Sequence, residues 1–112
     1  MQAPQPFSCG LGPAFDVIGG KWKGLILWRV HTAPRRFGEL RRLIPGISEK
    51  VLSECLREME VAGLVQREIF PEVPPRVEYS ATALGVELDI ALAPLAKWGE
   101  RYAALQSADV PA

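Results

Sequence analysis

The sequence predicts an α+β domain, mostly helical, in which four helices precede a two-stranded hairpin and a long helix closes the chain. Three observations carry this. Between residues 11 and 63 apolar residues recur at helical spacing, and Gly or Pro breaks the pattern at short intervals. LVQREIF and RVEYSA alternate in the manner of strands on either side of PEVPP. Leu84, Leu88, Ala91, Leu95, Trp98, Tyr102 and Leu105 then recur at alternating steps of 4 and 3 residues, a heptad seam.

The first helix is expected in LGPAFDVIGG, with Gly12 as N-cap, Pro13 at the first helical position, Phe15 and Ile18 on one face and Gly19 at the end. KWKGLILWRVH follows, with Trp22, Leu25, Ile26 and Val30 forming a buried stripe and Lys21, Lys23 and Arg29 outside it. Lys21 and Lys23 fall in its first turn, where the helix dipole disfavours cations unless an anion such as a phosphate sits nearby. RRFGELRRLI makes a third, amphipathic helix. PGI breaks the chain, and Ser48 caps SEKVLSECLREMEVAG, which Gly63 ends in the left-handed conformation. On this fourth helix Val51, Leu52, Leu56 and Met59 form the apolar stripe with Cys55 beside it, while Lys50, Ser53, Glu54 and Arg57 share the opposite face. The prolines stiffen the hairpin tip. Thr82 caps the last helix over residues 83–105, which Pro94 is expected to kink. Residues 1–8 and 106–112 are expected to fray, and no linker divides residues 1–112 into a second domain.

The 112 residues carry 13 Lys or Arg against 13 Asp or Glu. The distribution is uneven: residues 21–50 hold 8 basic against 2 acidic residues, and residues 51–112 hold 5 against 10. A basic segment joined to an acidic body suits a nucleic-acid-facing region. No apolar run reaches the length of a membrane span and MQAPQPF lacks the order of a signal peptide, so a cytoplasmic protein is expected. Two cysteines and one histidine give no structural zinc set, and no Ser/His/Asp or Cys/His constellation or glycine-rich phosphate loop stands in the chain. Neither an enzyme nor a cofactor is expected.

Helices ending in a helix-turn-helix pair and followed by a hairpin describe a winged helix-turn-helix, whose second helix of the pair enters the major groove and whose hairpin is the wing. Ser48, Glu49, Lys50, Ser53, Glu54 and Arg57 are the candidate DNA-facing residues of that helix, with Lys21 and Arg36 from the basic segment before it. Arg57 would contact guanine or a phosphate; Glu54 would accept from cytosine or orient Arg57. Arg76, after Pro74-Pro75, is placed to reach a phosphate or the minor groove.

IGGKW, RRFGELRRLIPGIS, LREME..GLV.RE, PEVPPRVEYSAT..G and a late WG stand in order from about Cys9 to Trp98. In these the chain resembles HxlR-type winged helix-turn-helix transcription regulators. The resemblance implies a homodimer, built from the first and last helices, that binds an inverted-repeat operator in double-stranded DNA, acting as a repressor. Phe15, Leu88, Leu95, Trp98 and Tyr102 would then lie at the dimer interface. The family's usual leucine is Ala81 here, and its usual glutamines are Glu49 and Cys55, which leaves the operator sequence open.

Cys9 precedes the expected start of the first helix, where the dipole favours a thiolate. Many members of the resembled family carry a cysteine here and some sense oxidants or electrophiles with it, whereas Cys55 reads as a core residue. Two alternatives stand beside this reading. One is a winged-helix module that makes protein contacts without an operator. The other adds a small-molecule ligand between the last helix and the core, lined by Trp28, Trp98 and Tyr102.

Overall fold

The computed structural model describes residues 10–108, so Cys9 and the expected fraying of residues 1–8 and 109–112 lie outside the described residues. The elements run α1 (Leu11–Ile18), α2 (Lys23–Thr32), α3 (Phe37–Leu43), α4 (Glu49–Val61), β1 (Val65–Phe70), β2 (Arg76–Ala81) and α5 (Ala83–Ala108). The predicted mostly helical α+β order holds.

Boundaries moved where hydrogen bonds outweighed pattern. Helix α1 is capped by Gly10 and holds Pro13 at its third position, which costs nothing because first-turn N–H groups have no helical acceptor. Helix α2 begins at Lys23: Gly20 takes φ +92°, and the Trp22 carbonyl accepts from Ile26 N–H at 3.0 Å. Lys21 therefore stands before the helix and not in its first turn. Helix α5 passes through Pro94 and runs on to Ala108, beyond the expected end at 105, because no Gly or Pro intervenes between Gly99 and Pro111.

The antiparallel β1–β2 pair sets Val65 opposite Ala81 and Phe70 opposite Arg76. Arg35, between α2 and α3, adds a bridge to Tyr79 with N–H···O bonds of 2.9 and 2.7 Å, which fixes the hairpin base to the helical body. One buried cluster joins Ile26, Leu27 and Val30 of α2 to Leu40 of α3, Leu52, Leu56 and Met59 of α4 and Val65 of β1. Each such side chain contributes on the order of 1.5–3 kcal/mol by leaving water. Leu25, expected inside, is 45% exposed and Leu27 takes its place. The reason is that α5 and β2 pack against α2 on the Leu27 side, leaving Leu25 and Trp28 facing a groove of about 800 Å³ between α2 and α5.

Helix α5 starts tied to the end of α4. Gly63 adopts φ +79°, Thr82 Oγ1 donates to its carbonyl at 2.6 Å and accepts from Gly85 N–H at 3.0 Å, and Thr82 N–H donates to the Leu64 carbonyl at 3.0 Å. Leu88 and Leu92 pack against the core, whereas Leu95, Trp98, Tyr102 and Leu105 are each at least half exposed. The projecting helices give a radius of gyration of 16.8 Å, against about 13 Å for a compact domain near this size.

Candidate nucleic-acid interface

Helix α4 divides as its sequence requires. Leu52, Leu56 and Met59 are buried, Val51 and Cys55 half-buried, and Lys50, Ser53, Glu54 and Arg57 exposed. Ser48 Oγ accepts from Val51 N–H at 3.1 Å, which satisfies one first-turn donor and leaves the N-terminal end free of bulky apolar groups. Helix α3 is fixed ahead of it by the Arg36 N–H, which donates to Glu39 Oε1 at 2.7 Å. Arg36 itself is exposed. Glu49 lies 3.9 Å from Arg41, a loose pair between exposed side chains. Glu54 and Arg57 form no ion pair with each other among the described residues, so the Arg57 guanidinium is uncommitted. Arg36, Arg42, Lys50 and Arg57 thus present exposed cations on and around α4 that have no ion-pair partner among the described residues.

The two lysines before α2 part company. Lys23 Nζ meets Glu58 of α4 at 2.6 Å, so an internal carboxylate offsets its place in the first turn. Lys21 is exposed, with its ammonium 4.7 Å from the centroid of the Trp22 ring. Arg76 does not extend outward: its guanidinium stacks 3.8 Å from the Phe70 centroid and pairs with Glu72 and Glu78. Burial pushes the Cys55 thiol above its ordinary value, an effect that nearby Lys23 only partly opposes. The thiol form is therefore favoured over the nucleophilic thiolate.

Sequence reasoning missed two devices here. The Arg35–Tyr79 bridge leaves no periodic signal because a single residue carries it. The other is His31 Nδ1, 2.5 Å from Asp89 Oδ2, which joins α2 to α5 and gives the lone histidine a structural place. Of the expected dimer residues, Phe15, Leu95, Trp98 and Tyr102 are about half exposed, with Trp98 and Tyr102 stacked at 5.2 Å, whereas Leu88 packs on its own core. Trp28 lines the α2–α5 groove, but Trp98 and Tyr102 lie apart from it.

Residues 17–107 match the HxlR-like helix-turn-helix model. The chain belongs to this family. It is 48% identical over 103 residues to the uncharacterized HTH-type transcriptional regulator YkvN of Bacillus subtilis (strain 168), covering 92% of this chain and 87% of that one. Among solved structures, the redox regulator HypR in its reduced form aligns with a TM-score of 0.82 at 38% identity, over 89% of this chain and 99% of the other. The oxidized form aligns at 0.78 and 42% identity, over 83% and 96%. This HxlR-like chain is a DNA-binding transcriptional regulator of the helix-turn-helix type, and its family is not one of enzymes. No helix among the described residues is long and apolar enough to cross a membrane.

Proposed function

We propose that this HxlR-like regulator is a homodimeric repressor whose protomers each insert α4 into one half-site of an inverted-repeat operator. The carrying observation is the division of α4 into a buried apolar face and an exposed face of Lys50, Ser53, Glu54 and Arg57. Ser48 and Glu49 stand at its groove-entering end, and Lys21 and Arg36 supply backbone contacts beside it. A second copy covers the apolar patch on α1 and distal α5, where Phe15, Leu95, Trp98 and Tyr102 otherwise meet water. The α4 helices of such a dimer meet major grooves about 34 Å apart. Selection of bound duplexes from a random pool tests this: an enriched inverted repeat with steeply salt-dependent affinity is expected, and a pool that stays random removes the operator.

Cys9 is the proposed sensor of oxidants or electrophiles in this regulator. The likeness to a redox regulator solved in two oxidation forms supports the reading. Diamide or a quinone is expected to release the wild-type protein from its operator and to leave Cys9→Ser bound. Release of Cys9→Ser to the same extent sinks the sensing role.

A further inference from the structure

The wing closes on itself through charge. Arg76 Nη1 donates to Glu78 Oε2 at 2.8 Å, and Nη2 lies 3.1 Å from Glu72 Oε1. The face of the guanidinium rests on the Phe70 ring, the side chain is only 28% exposed, and Nε is buried. A guanidinium has one charge and two faces to offer. Here each terminal nitrogen has one contact to a carboxylate, one face rests on the hairpin's own ring, and Nε is buried, so two carboxylates flank one cation. Glu72, at 51%, is the more exposed partner of the pair and Arg76, at 28%, the less exposed. Around α4, by contrast, Arg36, Arg42, Lys50 and Arg57 are exposed and unpaired among the described residues.

We infer that Arg76 braces the wing in this chain, and that Glu72 and Glu78 withhold it from the DNA backbone, leaving the phosphate grip to the cations of α3 and α4. The inference rests on the DNA-binding reading above. It makes Arg76 a positioning residue and gives the two carboxylates a role in limiting affinity.

The salt dependence of binding to one mixed-sequence duplex separates a brace from a contact, because each neutralised phosphate adds about 0.9 to the log–log slope. Arg76→Gln is expected to weaken binding with its slope unchanged. Arg76→Lys should behave like Arg76→Gln, because an ammonium keeps the charge but cannot span two carboxylates while stacking on Phe70. Glu72→Gln/Glu78→Gln frees the guanidinium, so its slope should steepen by about 0.9 and its low-salt affinity rise. A shallower slope for Arg76→Gln with a wild-type slope for Arg76→Lys overturns the inference, as does an unchanged slope for the double variant. Amide exchange at Glu68 and Glu78, a directly opposed pair whose N–H groups face the partner strand, is expected to quicken in both Arg76 variants and judges the brace without DNA; unaltered exchange also overturns it. A wild-type protein with no duplex affinity would instead defeat the DNA-binding reading, with the exchange result still deciding the brace.

Discussion

Gly85→Ala is expected to destabilise the domain by about 3 kcal/mol, at the upper end of what overpacking costs and a large share of the roughly 5–15 kcal/mol that holds a domain folded. A Cβ at position 85 would stand 2.1 Å from the Leu64 carbonyl oxygen and 3.3 Å from Leu27 Cδ1. That carbonyl cannot retreat cheaply. It accepts from Thr82 N–H, and its residue is 2% exposed in the core, so moving it breaks the joint between α4 and α5. The sign is the discriminating feature, because Gly to Ala within a helix ordinarily stabilises by up to about 1 kcal/mol. Gly99→Ala in the same helix, where a Cβ meets nothing within 4 Å, supplies that comparison and is expected to hold or gain stability. Denaturant unfolding of both variants at one protein concentration measures the difference. A Gly85→Ala midpoint at or above wild type would show that α5 does not press on the Leu64 carbonyl.

Trp98→Asp is expected to convert the dimer to a folded monomer and to lower operator affinity by about 10²–10⁴-fold, the factor that linking two half-site contacts contributes. Trp98 is 51% exposed and stacks on Tyr102, outside the buried cluster, so the substitution spares the fold while placing a charge in the proposed interface. Sedimentation gives the mass, far-UV circular dichroism the fold, and operator titration the affinity. A dimeric Trp98→Asp protein with full affinity would move the interface off distal α5.

Much of the fold was legible because local rules and tertiary packing agree. Ser48 and Gly63 bound α4 by capping chemistry that operates on a few adjacent residues, and the 3.6-residue spacing of Leu52, Leu56 and Met59 selects its buried face. The strand alternation about PEVPP likewise places the hairpin, and Thr82 marks the start of α5 through a side chain that bonds within one turn. The candidate DNA-facing residues of α4 were legible for the same reason: once the apolar stripe is assigned, the outer face follows by rotation. In α2 the same method misplaced one position. Apolar residues at 22, 25, 26, 27, 28 and 30 nearly encircle the helix, and only the arrival of α5 and β2 decides that Leu27 is buried and Leu25 is not.

Spacing between near neighbours was thus enough to settle the order of elements, the polar face of α4 and the family to which the chain belongs. Tertiary structure alone decided the partners of charges and the tolerance of close approaches. Lys23 meets Glu58, 35 positions away, His31 meets Asp89 across 58, and Gly85 is required by a carbonyl at Leu64. Arg76 followed the same logic at shorter range: a tip arginine beside prolines reads as a free cation until the hairpin folds Glu72, Glu78 and Phe70 around it. Electrostatic attraction acts through space and not along the chain, so a charge's partner is settled only when the backbone has brought the two groups within a few ångströms.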